Sequence, residues 1–225
     1  MQEMHDVMCG RTGPPKQGGG RPWWQDGRMP TAADLWRLLR RASADRHHPW
    51  RVVALCTQGA DGPRARSVIL RQVHEEDRRL VFYTDRRSHK VHELAQCDRV
   101  ALLCWDPRHQ QQLRMTGQAA LDGSGDAVAA HWATVPERAQ LDYASPLPPG
   151  SPLEGPSSRA GGPPAPGGPA AQNPTTRLRA RGHFAVLQVQ VCEMDFLELD
   201  RQGHQRCRQV WVPSQSAWQG QPLVP

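Results

Sequence analysis

The sequence predicts a mainly β fold with flanking helices. Three runs rich in β-branched and apolar residues, at 51–57, 66–71 and 80–84, have the length of strands and are divided by polar or glycine-containing turns. A further run at 99–105 and the alternation of apolar and polar residues over 183–191 continue this pattern. Helical spacing of apolar residues is confined to short segments. One sheet-based core with helices at its margins is the architecture that this order favours.

The first predicted element is a helix that follows an irregular N-terminal segment. Residues 1–30 contain Gly-Gly-Gly and scattered prolines without a periodic apolar pattern, which predicts a disordered tail outside the fold. Residues 31–34 have the form of a capping box, with aspartate in place of glutamate at its last position. The apolar residues after it share helical spacing: Leu35, Leu38, Leu39 and Ala42.

A hairpin and a short helix are predicted next. The strand at 51–57 leads through a turn at 58–63 into the strand at 66–71. A polar turn at 74–78 then joins that strand to the one at 80–84, which predicts the hairpin.

Ser88 predicts the start of a helix directly after this hairpin. Serine is favoured at the N-cap, and Val91, Leu94 and Ala95 follow on one side of the helix. The free amide groups of a helix N-terminus form a natural anion site. The hairpin and the helix start therefore bring hydroxyls, amides and cations to a place where a phosphate can bind.

The second half of the chain is predicted to complete the same domain. Two more strands, at 99–105 and 112–117, are followed by short helices at 126–134 and 137–143. Proline and glycine then dominate, which predicts a flexible insertion over 146–181.

Strands predicted at 183–191 and 194–199 lie in the C-terminal segment 182–225. They are expected to complete a barrel begun in residues 31–145, because a half barrel would leave unpaired edges. The insertion therefore interrupts one domain instead of separating two.

Composition limits the function classes. The net charge is +6, but the arginines are scattered, no nucleic-acid-binding motif accompanies them, and tyrosine and phenylalanine are scarce, so no nucleic-acid partner is predicted. No apolar run approaches the length of a membrane span and the N-terminus lacks the apolar core of a secretory signal, which predicts a cytoplasmic protein without a membrane partner. The six cysteines lack metal-ligand spacing and are interpreted as buried free thiols.

Five segments, taken in order, carry a resemblance to a known family. Residues 66–71 have arginine at both ends of an apolar run, 82–84 read Phe-Tyr-Thr, 88–90 read Ser-His-Lys, and strand-like runs follow at 99–105 and 112–117. In this order the chain resembles the pyridoxamine 5′-phosphate oxidase-like flavoproteins, the FMN-binding split-barrel family. The resemblance implies an FMN-binding split β-barrel, an FMN-dependent oxidoreductase acting on a small-molecule substrate, and a homodimer with the flavin at its interface.

The resemblance also implies the residues that bind the cofactor. They are Arg66, Ser67, Val68, Leu70, Arg71, Tyr83, Thr84, Ser88, His89, Lys90 and Gln112. From spacing alone, Arg66 and Arg71 point to opposite faces of a regular strand unless a bulge intervenes. Lys90 lies in the first turn of its helix, where a cation opposes the helix dipole and a bound phosphate would remove the conflict. His89 and His92 are read as solvated side chains, and no metal is predicted.

The chain departs from the family on the substrate side. True pyridoxamine phosphate oxidases have an Arg-x-His near the C-terminus, and the counterpart here, residues 204–209, does not reproduce it in register. The chain is therefore more similar to the oxidase-like branch, with an unassigned substrate and no assigned catalytic residue. The alternative reading is a noncatalytic flavin- or haem-binding module, and a third is a basic nucleic-acid-associated protein.

Overall fold

The predicted strands form one antiparallel sheet that closes on itself. The computed structural model of the chain describes residues 28–153, 163–165, 167–201 and 203–225. Within these ranges the sheet has eight strands: β1 Val52–Gly59, β2 Gly62–His74, β3 Arg79–Asp85, β4 Arg99–Asp106, β5 Gln111–Asp122, β6 Phe184–Glu198, β7 Gln205–Val212 and β8 Ala217–Leu223. Their order is β3-β2-β1-β4-β5-β6-β7-β8, and β3 also pairs with β6, so the first six strands form a barrel. The predicted mainly β fold is confirmed.

Strand β6 closes the barrel because two other strands share one of its edges. Residues 184–190 pair with β3 and residues 193–198 pair with β7, whereas β5 runs along the opposite edge. The sequence predicts two strands in this region, but the structure has one continuous strand with a register shift opposite Thr116 and Gly117. Strands β7 and β8, which the sequence does not predict, extend the sheet beyond the barrel.

Short helices flank the barrel. Those in the described ranges are α1 Ala32–Ala44, α2 His89–Gln96, α3 Asp126–Ala133, α4 Glu137–Gln140, α5 Pro169–Gln172 and α6 Pro174–His183. Helix α5 and most of α6 lie in the range 146–181 that is predicted as a flexible insertion, so its described part is partly helical. Helix α6 begins there because the Asn173 side chain accepts a hydrogen bond from the Thr175 amide and Pro174 is compatible with the first turn. Residues 154–162 and 166 of that range, and residues 1–27 of the predicted tail, lie outside the described residues.

The core fills the barrel and the contact between the barrel and α1. Alternate residues of β1 and β4 point inward and are buried, as the period of a strand requires. Helix α1 contributes Leu35, Trp36 and Leu39 to the same cluster as Phe82 and Phe196. Helix α1 therefore covers one side of the barrel core.

The capping box predicted at residues 31–34 is confirmed and anchors α1. Thr31 Oγ1 accepts from the Asp34 amide, and the Asp34 carboxylate accepts from the Thr31 amide at 3.0 Å. Arg28 also donates to this carboxylate at 2.7 Å. Burial by itself would raise the pKa of Asp34, but the hydrogen bonds from Arg28 and Thr31 outweigh burial and hold the pKa well below its usual range.

Replacing Asp34 by asparagine is expected to lower the free energy of unfolding by about 1–2 kcal/mol at pH 7, because the charged cap and its arginine partner are lost. Since the folded-state pKa of Asp34 is depressed, this contribution is present above the unfolded-state pKa of about 3.9 and is lost as the pH falls through the folded-state value. Urea unfolding at pH 7 and pH 3 measures it. The difference between the two proteins should be smaller at pH 3 than at pH 7, because pH 3 lies between the unfolded-state and folded-state pKa values. A difference that does not change with pH, or an equal loss for Asp61→Asn at an exposed carboxylate, would contradict the assignment.

Candidate functional site

Three of the predicted phosphate-binding side chains converge where β3 leads into α2. Lys90 Nζ donates to Thr84 Oγ1 at 3.1 Å and to Ser88 Oγ at 3.0 Å. Thr84 and Ser88 are buried, whereas Lys90 is half-buried. Burial lowers the pKa of Lys90, and the nearby Arg66 guanidinium lowers it further. We call Arg66, Thr84, Ser88 and Lys90 the basic cluster.

Ser88 belongs to this cluster instead of capping the helix with its side chain. Helix α2 begins directly after Ser88, as predicted, but its hydroxyl makes no capping hydrogen bond. It donates to the Asp85 carbonyl oxygen at 2.7 Å. The neighbouring Asp85 carboxylate is paired with Arg87 at 2.7 Å, and Arg87 also donates to the Ser145 carbonyl oxygen at 3.1 Å. The charge of Asp85 is therefore compensated by Arg87, not by Lys90.

Arg66 is held against the barrel by Thr57 and Glu93. One terminal nitrogen donates to Thr57 Oγ1, and the other donates to Glu93 Oε2 at 2.6 Å. The Thr57 hydroxyl donates to the same carboxylate oxygen. Burial alone would raise the pKa of Glu93, but the hydrogen bonds from Thr57 and Arg66 lower it below its ordinary value. Glu93 is therefore ionised at neutral pH.

Arg71 lies apart from these contacts, at the bulge that the sequence analysis allowed for. The pairing of β2 with β3 shifts register between Leu70 and Gln72, which places Arg71 at the irregularity. Its guanidinium carbon lies 5.2 Å from the centre of the Tyr83 ring. The Arg71 Nε–H is buried and has no hydrogen-bond partner among the described residues. A buried donor of this kind is costly unless an acceptor reaches it.

Tyr83 links this arginine to α3. Its hydroxyl lies 3.2 Å from His131 Nδ1 and 3.1 Å from Thr134 Oγ1. Burial lowers the pKa of His131, and the charges of His74 and Arg79 act in the same direction. The imidazole is therefore neutral at pH 7, with one nitrogen able to donate and the other able to accept.

Four other predicted residues have side chains outside the basic cluster. Val68 and Leu70 are buried in the barrel core, so only their backbone groups are available to a ligand. Ser67 is exposed and follows Arg66 directly in β2, so its side chain points to the opposite face of the sheet. His89 is exposed in the first turn of α2, and its ring lies against Gly150.

Gln112 lies on the opposite face of the sheet from Arg66. The paired row through Arg66 continues across the sheet to Leu55, Leu102 and Met115, which are buried inside the barrel. Gln112 is three residues from Met115 on a regular part of β5, so its side chain points outward. One chain therefore does not bring Gln112 to the inner-face position of Arg66.

The sequence analysis did not assign Thr57, Glu93, Asp85 or His131 to the site. For Glu93 a signal existed, because it lies one helical turn after Lys90 and therefore on the same side of α2. Its contact with Thr57 joins residues 36 apart in the chain and depends on how α2 packs against β1. Nothing local in the sequence predicts that contact.

Comparison with known proteins agrees with this fold. The model of the pyridoxamine 5′-phosphate oxidase FMN-binding domain matches residues 33–123. The chain is 37% identical to pyridoxine/pyridoxamine 5′-phosphate oxidase of Chromohalobacter salexigens over 90 residues. These 90 residues make up 40% of this chain and 40% of that enzyme. The enzyme of the same name from Thermosynechococcus vestitus is 39% identical over 84 residues, 37% of this chain and 38% of that enzyme.

Two solved structures share the fold across most of the chain. A pyridoxamine 5′-phosphate oxidase-related, FMN-binding protein from Nostoc punctiforme superimposes with a TM-score of 0.66 and 22% identity, covering 92% of this chain and all of that one. PhzG from Burkholderia lata, in complex with tetrahydrophenazine-1-carboxylic acid, superimposes with a TM-score of 0.65 and 19% identity. The superposition covers 92% of this chain and 98% of PhzG.

The fold that the chain shares with these structures is a split barrel, and residues 33–123 match the model of an FMN-binding domain. Over residues 33–123, and in its split-barrel fold, the chain is similar to the pyridoxamine 5′-phosphate oxidase-like FMN-binding proteins. Its sequence match spans about two fifths of the length of the curated relatives. In the part of the chain that the structure describes, every helix is too short or too polar to cross a membrane.

Proposed function

We propose that this chain is an FMN-binding flavoprotein that acts as an FMN-dependent oxidoreductase on a small molecule. The observation that carries the proposal is Lys90, a half-buried cation that hydrogen-bonds to the hydroxyls of Thr84 and Ser88. No carboxylate forms an ion pair with Lys90 among the described residues, so its charge is available to a ligand anion. A phosphate would accept hydrogen bonds from the Lys90 ammonium group and from the Thr84 hydroxyl, and from the Ser88 hydroxyl once its proton turns away from the Asp85 carbonyl oxygen.

The residues present fit an FMN phosphate. Arg66 uses both terminal nitrogens on Thr57 and Glu93, and an arginine retains further N–H donors beyond two such bonds. Arg71 adds a buried Nε–H that lacks an acceptor. When bound, FMN would supply hydride or electron transfer, and the chain would bind and orient it.

A homodimer fits the position of Gln112. Since its side chain points away from the inner face on which Arg66 lies, a flavin held by both residues needs Gln112 from a second copy. The same outer face exposes large apolar side chains, with 51% of Val52 and 40% of Trp105 accessible. Such a surface is suited to a partner chain.

The substrate is unassigned, and two functions remain in competition. Oxidation of pyridoxamine phosphate is supported by the names of the curated relatives, whereas the altered Arg-x-His position at 204–209 supports the alternative, a noncatalytic flavin- or haem-binding module. The prediction of buried thiols is correct for Cys104 and Cys207 but wrong for Cys192, which is exposed, and Cys56 and Cys97 are half-buried. We propose the cytoplasm, because free thiols persist in a reducing compartment.

The test is the visible absorption spectrum of the purified, undenatured protein, with any released chromophore identified by mass. FMN is expected. A colourless protein that also fails to take up added FMN would contradict the proposal, and released haem would favour the alternative module.

Turnover separates an enzyme from a cofactor-binding module. The FMN-loaded protein should accept electrons from a reduced nicotinamide or oxidise pyridoxamine phosphate. Tight FMN binding with neither reaction would leave the flavoprotein assignment in place and remove these two activities.

A further inference from the structure

The carboxylate of Glu93 occupies a position that is unusual for an anion-binding site. Its side chain is only 9% exposed and lies against Arg66, one of the cations expected to bind the phosphate. Three contacts hold it: the Thr57 hydroxyl, the Arg66 guanidinium at 2.6 Å and, more distantly, Arg64 Nε at 3.8 Å. A fixed negative charge beside a phosphate site requires an explanation, because it repels the ligand.

The hydrogen bonds between Arg66, Thr57 and Glu93 form a closed ring. Arg66 donates to Thr57 and to Glu93, and Thr57 donates to the same carboxylate oxygen. Two directions of the planar guanidinium are thereby fixed, and its remaining N–H groups have a defined orientation. Arg66 is only 22% exposed, so little solvent competes for it.

We propose that Glu93 is a positioning residue for the phosphate of FMN: it holds the Arg66 guanidinium in the orientation in which the remaining donors bind that phosphate. This inference rests on the proposed function. Binding of the anion then does not have to order a long, flexible side chain, which is a cost that preorganisation removes. The gain must exceed the repulsion between the carboxylate and the phosphate.

Glu93 also keeps the two cations of the basic cluster compatible. Lys90 and Glu93 are three residues apart on α2 and share one side of the helix. Arg66 is close enough to Lys90 to affect its protonation, and Asp85, the other nearby acid, is occupied by Arg87. Without Glu93, the like charges of Arg66 and Lys90 would favour a rotamer of Arg66 that points away from Lys90.

The direction in which a substitution of Glu93 changes FMN affinity distinguishes a positioning role from a purely electrostatic one. If Glu93 acted only through its charge, removing that charge would strengthen the binding of an anion. If it positions Arg66, Glu93→Ala weakens FMN binding by about tenfold or more, although the net charge of the site becomes more positive. Alanine is a strong helix former, so α2 is expected to persist.

The experiment measures the dissociation constants of FMN and riboflavin for the full chain freed of bound flavin, by quenching of flavin fluorescence. Riboflavin lacks the phosphate, so its affinity should not change in Glu93→Ala. Glu93→Gln keeps an acceptor oxygen and should lose less FMN affinity than Glu93→Ala. Glu76→Ala, which removes an exposed carboxylate from the β2–β3 turn, is the matched control and should bind both ligands as the parent does.

Unchanged or tighter FMN binding by Glu93→Ala overturns the positioning role. A loss of riboflavin affinity as large as the loss of FMN affinity overturns it as well. Should Glu93→Ala fail to fold, Glu93→Gln decides, since weaker FMN binding with unchanged riboflavin binding supports the role and any other result opposes it. A parent protein that binds no FMN would instead refute the proposed function, so the two failures are distinguishable.

Discussion

Replacing Arg66 with alanine is expected to weaken FMN binding by about a hundredfold. Hydrogen bonds to a charged group contribute about 1.5–3 kcal/mol, and about 1.4 kcal/mol corresponds to a factor of ten in affinity. Arg66 is mostly buried and already oriented by Thr57 and Glu93, so solvent screens its charge little. The upper part of this range therefore applies. Fluorescence titration with FMN measures the change.

Riboflavin and a matched arginine are the controls for this substitution. Riboflavin affinity should change little, because the lost contact is to the phosphate. Arg179→Ala removes the same charge from an exposed position of α6 and should leave both affinities unchanged. Equal FMN affinity in Arg66→Ala and the parent would mean that Arg66 serves only to neutralise Glu93.

The loss of Arg66 also leaves Glu93 without its closest cation. The single variant should therefore be less stable than the parent, because only the more distant Arg64 then pairs with a carboxylate in a poorly hydrated position. Adding Glu93→Gln to Arg66→Ala should recover thermal stability but not FMN affinity. Recovery of affinity in the double variant would contradict a direct contact between Arg66 and the phosphate.

Replacing Gly117 with alanine is expected to lower the free energy of unfolding by about 3 kcal/mol. Gly117 lies in β5 beside the register shift with β6, and a Cβ atom there would be 2.3 Å from the Gln190 carbonyl oxygen. This neighbour is backbone in a paired strand and cannot rotate away, so the strands must separate. Because β6 closes the barrel, the strain reaches the whole sheet. Urea unfolding measures the loss as a lower midpoint at an unchanged slope.

Gly182→Ala is the matched control for this prediction. Gly182 lies in α6, and a Cβ atom there meets nothing within 4 Å. Alanine in a helix is favoured over glycine by about 0.5–1 kcal/mol, so this variant should be slightly more stable than the parent. An equal change in the free energy of unfolding for the two substitutions would show that the close contact between Gly117 and β6 does not cause the loss of stability.

Local patterns in the sequence were enough to predict the elements that carry the basic cluster. The strand at 80–84, the helix after Ser88 and the position of Lys90 follow from apolar content, capping preference and helical spacing. Thr84, Ser88 and Lys90 are near neighbours in the chain, so their proximity requires only a short turn. The α1 cap was equally predictable, because its partners lie within one helical turn.

Contacts between distant segments were not predictable in the same way. Arg66 meets Glu93 across 27 residues, and this contact depends on the placement of α2 against the strands. The joining of two predicted strands into β6 depends on β3 and β7 sharing one edge, which leaves no local sequence signal. Helix α6 was missed because proline and glycine upstream dominated the composition.

By itself, the sequence determined the mainly β class, the order of the strands around the basic cluster and the residue types that suit a phosphate, because these depend on neighbours in the chain. Only the tertiary structure decided that Glu93 orients Arg66, that Arg71 lies at a bulge against Tyr83, and that Gln112 faces outward. The physical reason is the closure of the barrel, which sets strand register and helix position together and so determines which distant side chains meet.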